Sequence, residues 1–230
     1  MQKTRGLVLI GDSAFAEVAH EYFEADTSYR VAAFAVERAF LRRENLRGLP
    51  VVSLEDMAAR FPPETHDAYA AVVYTQLNRL RTRLAAAAQA MGYRLASYVS
   101  PRAFVSPSAQ LGEHCFVFEA NVIQSFVDVG PNVVLWSGNH IGHHSRIGAN
   151  VFVSSHVVIS GFCDVGENCF LGVNAAVGNN LRIASDCWVG PGIVISRDTE
   201  PGQMFRPPAQ ESAKVSARRF FRVPEEPGPS

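Results

Sequence analysis

The chain predicts two domains of different construction: an α/β, Rossmann-like N-terminal half, then an all-β parallel β-helix built on a hexapeptide repeat. Two observations carry this. Up to residue 98, short β-favouring runs alternate with stretches of helical periodicity. From Val99 onward every sixth residue is a branched aliphatic, for seventeen consecutive positions ending at Ile195. The expected boundaries are 1–98 for the first domain, 99–200 for the second, and 201–230 for a C-terminal tail. With 47% apolar and 19% charged residues the composition is that of a globular protein, and a net charge of −1 gives no reason to expect nucleic acid or an acidic membrane as partner. The apolar run after Arg5 stops at Asp12, too short for a signal-peptide core, and no stretch is long enough to span a bilayer. The expected location is therefore the cytoplasm.

In the first half, Leu7–Ile10 reads as a strand ending at Gly11. Ser13 is placed to cap a helix over Ala14–Ala25, whose Phe15, Val18, Ala19, Tyr22 and Phe23 fall on one face. Val31–Val36 is a second strand and Ala71–Tyr74 a third. Leu77–Met91, rich in Ala, Leu and Arg, is a helix stopped by Gly92, and Tyr93–Tyr98 is a last short strand. Strands alternating with helices imply a parallel sheet with crossover helices.

In the second half the neighbours of the aliphatic residue obey the same period. Gly often follows it, as at 112, 130, 142, 148, 166, 172, 178 and 190, and a compact residue often stands four places on, as at Cys115, Ser145, Val151, Cys163, Cys169 and Cys187. Six residues make a flat strand and a corner, and three such sides close a triangular coil of 18 residues. The aliphatic points inward, the compact residue fills the corner, and Gly is expected to supply the corner's unusual backbone angles. The four cysteines share one inward phase and read as buried small hydrophobes, not as a metal or disulfide set. Phe126, His144 and Phe162 are 18 apart and should stack in a column, while Trp136 and Trp188 read as outward packing or subunit contacts.

Five of the seven histidines fall at 114, 140, 143, 144 and 156. The inner positions are already filled, so this cluster belongs on edges or faces. Two chemistries compete for it. One is a zinc site of the carbonic-anhydrase kind, drawing on His140, His144 and His156 across a subunit boundary, although such an enzyme has no need of a nucleotide-binding half. The other is general-base catalysis by a neutral imidazole. A non-catalytic sugar-nucleotide-binding protein is a third reading.

The runs Ile141-Gly142-His143-His144-Ser145-Arg146-Ile147-Gly148 and Val165-Gly166-Glu167-Asn168-Cys169-Phe170-Leu171-Gly172-Val173-Asn174 resemble the hexapeptide-repeat nucleotide-sugar acyltransferases. The resemblance is to the branch of bacillosamine and perosamine N-acetyltransferases and sialic acid O-acetyltransferases, and it spans residues 11 to about 208. It implies a left-handed β-helix, a homotrimer with active sites between subunits, acetyl-CoA and a nucleotide sugar as substrates, and no metal. It also implies direct acetyl transfer to a sugar amine, or to a hydroxyl in the O-acetylating members, in the making of surface glycans. The family's catalytic His falls on His143, and its acidic partner falls on His144. Either a neutral hydrogen bond from His144, or Asn139 or another group, stands in for the missing carboxylate, or His140 or His156, otherwise expected to bind substrate, is the working base. The nucleotide-sugar loop corresponds to Gly11-Asp12-Ser13-Ala14-Phe15-Ala16, in which two of the usual glycines are alanine. Glu37 falls where the family places an acidic residue near the base or ribose, and Arg81 is a candidate phosphate contact. Asn174, Gly190 and Gly192 are expected to line acetyl-CoA. The C-terminal signature appears as Arg206-Pro207-Pro208-Ala209-Gln210 without its lysine, which leaves Arg206 and Pro208, or Lys214, for CoA.

Overall fold

A computed structural model describes residues 2–209 and 211–224; Gln210 of the C-terminal signature and residues 225–230 of the tail lie outside the described residues. The N-terminal domain is a five-stranded sheet in the order β3-β4-β2-β1-β5, with β1 at Arg5–Ile10, β2 at Tyr29–Val36, β3 at Asn45–Leu46, β4 at Leu49–Ser53 and β5 at His66–Ala70. All pairs are parallel except the β3–β4 hairpin. That hairpin was not expected from the sequence. Its two-residue turn, Arg47 (φ 52°) and Gly48 (φ 79°), has both residues left-handed, the geometry that matches strand twist.

Side chains alternate across the sheet. Val8, Ile10, Ala33 and Ala68 pack beneath α2 (Met57–Arg60) and α3 (Arg79–Ala90). Leu7, Leu9, Phe34 and Tyr69 pack on the other side against α1 (Ala14–Asp26), and in the same cluster against Phe116, Phe152 and Phe170 of the β-helix. The two domains therefore share one core. Two sequence expectations need correction. The third strand is His66–Ala70, not 71–74, because β1 ends at Ile10 and leaves the later residues no neighbour to pair with. Likewise 93–97 forms no strand beyond a single bridge from Leu95 to Ala68, and Tyr98–Val99 already belongs to the β-helix.

Each coil of the β-helix contributes a two-residue strand to each of three faces, and each strand pairs in parallel with the one 18 residues on, except that Trp188–Val189 pairs with Met204–Phe205, 16 residues on. The first face runs from Tyr98–Val99 to Met204–Phe205, the second from Phe104–Val105 to Val194–Ile195, and the third from Gln110–Leu111 to Arg182–Ile183. The last strand lies beyond the expected boundary at 200. Of the seventeen aliphatics, those from Val117 onward are buried; Val99, in the first coil, is 40% exposed because no coil precedes it.

Left-handed backbone at the corners is not supplied by the repeated glycines. It falls three residues after the aliphatic, on fourteen consecutive corners from His114 to Gly192, at φ of 56° to 78°. Five of these are Asn, the non-glycine residue that best tolerates this region. The glycines directly after the aliphatic answer a different constraint. A Cβ at Gly142 would stand 2.5 Å from the Ser160 carbonyl carbon, and one at Gly166 would stand 2.6 Å from the Ser185 amide. Successive coils approach too closely at these positions for a side chain, Gly178 excepted, where a Cβ would meet nothing nearer than 3.4 Å.

Candidate active site

The N-terminal cleft opens at the carboxyl ends of β1 and β2, where parallel sheets of this kind receive ligands. It has a volume of about 560 Å³ and is lined by Gly11, Asp12, Ser13, Glu37, Phe40 and Arg83, among others. Gly11 sits at φ 130°, and a Cβ there would meet the Ala71 carbonyl at 2.7 Å, so the turn requires glycine whatever the cleft binds. Ser13 is the N-cap of α1, but its hydroxyl makes no capping bond. Asp12 pairs with Arg43 at 3.4 Å. Glu37 accepts from both Nη atoms of Arg83, at 2.8 and 2.9 Å, and this bond holds its carboxyl below the usual carboxylate range. Arg83 and Phe40, which is 65% exposed at the mouth, were missed from the sequence. An Arg on a helix and a Phe after a strand carry no motif; only the fold brings them beside Glu37.

Arg81 does not reach this cleft. Its guanidinium is fully buried and donates to Asn132 Oδ1 (2.9 Å), Asn132 O (2.9 Å), Asn78 Oδ1 (3.2 Å), Asn150 O (3.3 Å) and Val73 O (3.4 Å). Every direction in which it could bind a phosphate is occupied. Burial lowers its pKa to about 10. It is the centre of a seam along the edge between the third and first faces, where His114, Asn132, Asn150, Asn168 and Asp186 form one column of left-handed corners. Asn78 Nδ2 donates to Cys169 O at 3.2 Å, and Arg79 pairs with Asp186. His114 Nε2 accepts the Ala70 amide at 2.9 Å, which makes Nδ1 the donor to Asn132 Oδ1 at 2.8 Å. Burial first, and the nearby Arg81 charge second, push His114 down to about 3. This histidine is a structural tie between the domains, not an edge residue in solvent. Helix α3 begins at Arg79 and not at Leu77 because Gln76, Leu77 and Asn78 are all left-handed on the way into the seam.

The remaining histidines divide among different parts of the prism. His140 faces outward from the second face, between Val122 and Val158. His156 occupies a left-handed corner on the edge between the first and second faces, with its ring over Gly138. His143 and His144 are exposed on the edge between the second and third faces, which is opposite the face carrying the N-terminal domain. Their Nδ1 atoms are 3.1 Å apart. The His143 amide donates to Gln124 Oε1 at 2.9 Å, and its ring meets Phe162 edge-on with centroids 5.1 Å apart. His144 lies between Phe126 (4.7 Å, 40°) and Phe162 (4.9 Å, 17°), the stacked column expected from the spacing. Among the described residues of one chain, no three His, Cys, Asp or Glu side chains converge on a point that could hold a metal ion, so His140, His144 and His156 do not form a site within one subunit.

Toward the C-terminal coils, Asn174 and Gly192 share the corner column of His156, both exposed. Gly190 is demanded by stacking, since a Cβ would meet Phe205 O, Pro207 Cδ and Trp188 Cζ3 at 2.8 Å. Arg206 and Pro208 are exposed just past the last strand, with Arg206 Nε 3.1 Å from Met204 Sδ. The four cysteines are free and buried. Trp136 packs against Phe15 and Phe118 at the domain junction, and Trp188 stacks on Phe170. No helix among the described residues is long and apolar enough to cross a membrane.

Comparison with known proteins agrees with this architecture. Residues 126–161 match the family model described as bacterial transferase hexapeptide (six repeats). The acetyltransferase domain of PglB from Neisseria gonorrhoeae FA1090 is 26% identical, with a TM-score of 0.78 over 87% of this chain and 95% of that one. A mutant of perosamine N-acetyltransferase from Caulobacter crescentus, solved with CoA and GDP-perosamine, is 30% identical, with a TM-score of 0.77 over 86% and 92%. No curated protein matches by sequence. With a repeat that closes a triangular prism, an α/β domain sharing its core, and 30% identity over most of both chains, the protein belongs to the hexapeptide-repeat nucleotide-sugar acyltransferases.

Proposed function

We propose that the protein transfers the acetyl group of acetyl-CoA to the amine of a nucleotide-linked amino sugar, with His143 as general base. The observation that carries this reading is the placement of the two halves of the site. The nucleotide cleft belongs to the domain on the first face, while His143 stands on the opposite edge of the same prism. A sugar held in one subunit's cleft therefore meets the His143 edge of a neighbour, as a homotrimer would arrange. The second face supports such an assembly: Phe104, Val158 and Val194 of its outward column are 59%, 44% and 70% exposed. An apolar column of this kind on a soluble prism suits burial against another subunit.

The cleft supplies the first-turn amides of α1 for a diphosphate, beside Asp12 and Ser13, and the Glu37–Arg83 pair for the nucleoside end. At the far edge, the neutral amine attacks the thioester carbonyl carbon as its proton passes to His143 Nε2. The N–C bond forms, the oxyanion is held by backbone N–H groups, and collapse breaks the C–S bond to release CoA, whose sulfur takes up a proton. No acyl-enzyme is needed, and the cysteines are unsuited to one because all are buried. Asn174, Gly192, Arg206 and Pro208 are the residues proposed to lie along CoA. The amine acceptor is favoured by the relatives, among them a perosamine N-acetyltransferase solved with CoA and GDP-perosamine. The test is thiol release from acetyl-CoA against a panel of amino-sugar nucleotides and their hydroxyl counterparts. His143→Asn is expected to lower kcat by about 10²–10⁴-fold with the coil intact; an unchanged rate would remove the assignment.

A further inference from the structure

The coils on either side of His143 place no carboxylate on its edge. The turns from the first coil on read Ser106-Pro107-Ser108-Ala109, Gln124-Ser125-Phe126-Val127, Gly142-His143-His144-Ser145, Ser160-Gly161-Phe162-Cys163 and Gly178-Asn179-Asn180-Leu181; Asp198, in the turn three coils beyond His143, accepts the Arg182 amide at 2.8 Å. A base that gains a proton during reaction needs a partner to fix its tautomer and to share the charge. The group within reach is His144, with its Nδ1 3.1 Å from the Nδ1 of His143. A hydrogen bond between two Nδ1 atoms contains one proton, and its direction decides the chemistry. If His144 donates, His143 carries its own proton on Nε2 and cannot act there as a base. If His143 donates, its Nε2 lone pair is free.

Resting on His143 as the base, we propose that His144 is the acceptor in this pair, and that Phe126 and Phe162 take the place of the missing carboxylate by clamping its imidazole between two ring faces. The ring faces present negative charge density to whatever lies against them. Positive charge developing on His143 is thus shared, through the Nδ1–H bond, with a ring whose two aromatic neighbours have centroids 4.7 Å (Phe126, tilted) and 4.9 Å (Phe162, stacked) away. Phe162 also meets the edge of His143, so one side chain holds both imidazoles at right angles to each other, at 89°. The clamp is built from the repeat itself, since Phe126, His144 and Phe162 are equivalent corners on three successive coils, at φ of 63°, 58° and 57°.

That equivalence supplies variants that respect the backbone. Phe126 and Phe162 show that the corner accepts Phe, and Asp186 (φ 62°) shows that it accepts Asp. In the thiol-release assay, His144→Phe keeps a ring in the stack but removes the acceptor, and kcat should fall about 10²-fold while KM for acetyl-CoA stays within about twofold. His144→Asp restores an acceptor and should recover kcat to within about fivefold of wild type. Phe126→Leu and Phe162→Leu should each lower kcat about three- to tenfold. Nitrogen-15 spectra of the wild-type protein should show the resting His143 protonated on Nδ1. A wild-type rate in His144→Phe, an Asp variant as slow as the Phe variant, or a His143 protonated on Nε2 overturns the pairing even where His143→Asn is inactive. Undiminished kcat in both leucine variants overturns the clamp. A wild-type protein that releases no thiol with any amino-sugar nucleotide brings down the reaction and this proposal together.

Discussion

Arg81 offers the sharpest test of how the two domains are joined. Replacing it with Met keeps much of the bulk and removes the guanidinium. Asn132 Oδ1 would still receive the His114 Nδ1–H, but Asn132 O and Asn78 Oδ1 would lose their donors at 2.9 and 3.2 Å, beside the longer bonds to Asn150 O and Val73 O at 3.3 and 3.4 Å. Each buried acceptor left without a partner costs about 1–3 kcal/mol, so two give about 2–6 kcal/mol. Relief of the buried charge offsets part of this, because a guanidinium with no carboxylate beside it is itself expensive to desolvate. A net loss of about 2–4 kcal/mol corresponds to a fall in Tm of about 4–16 °C for a chain of this size. Differential scanning calorimetry on the variant measures it, with limited proteolysis to show whether the N-terminal domain loosens first. A Tm within about 1 °C of wild type would refute the assignment of Arg81 as the clasp. It would also return the residue to consideration as a ligand contact.

Other outcomes follow from the same geometry. His114 stays neutral in the folded protein down to about pH 3, whereas the unfolded chain protonates it near 6.5. The unfolded state therefore binds more protons across that window, and stability should fall with decreasing pH by about 1.4 kcal/mol per unit from this one group; His114→Asn should flatten the slope in pH-dependent urea unfolding. Gly166→Ala places a Cβ 2.6 Å from the Ser185 amide and should destabilise by about 1–3 kcal/mol, while Gly192→Asn, at φ 69° with nothing within 4 Å, should stay within about 0.5 kcal/mol. Thermal melts of the pair separate crowding from backbone conformation as the reason for glycine. Burial raises the Cys115 thiol to about 11 and the Cys169 thiol to about 12, so Ellman's reagent should find no reactive cysteine until the protein is unfolded.

The β-helix was readable because one constraint, an inward aliphatic every six residues, recurs without a slip. A second message lay in the same repeat and went unread. The outward residue just before each aliphatic changes with a period of 18: Tyr98, Phe116, Val134, Phe152, Phe170 and Trp188 on the first face; Phe104, Val122, His140, Val158, Ala176 and Val194 on the second; Gln110, Asp128, Arg146, Asp164 and Arg182 on the third. The aromatic column lies under the N-terminal domain, and the charged column faces solvent. Grouping by 18 instead of 6 would have located the domain interface from sequence. The corner glycines were misread because spacing shows where a small residue is required but not whether φ or crowding requires it. Arg81 was misread for another reason. Its partners are mostly backbone and amide oxygens from coils 51 and 69 residues away, and oxygens of that kind leave no mark in a sequence.

Because the seam pins the N-terminal domain at several fixed corners, height along the prism comes only in whole turns. Adding or deleting 18 residues above the last pinned corner would displace everything beyond it by one strand spacing, about 4.8 Å, and leave the lower part untouched. The molecule thus behaves as a ruler with a single graduation, on which the reach between a held sugar and an incoming thioester can be lengthened or shortened by counting turns.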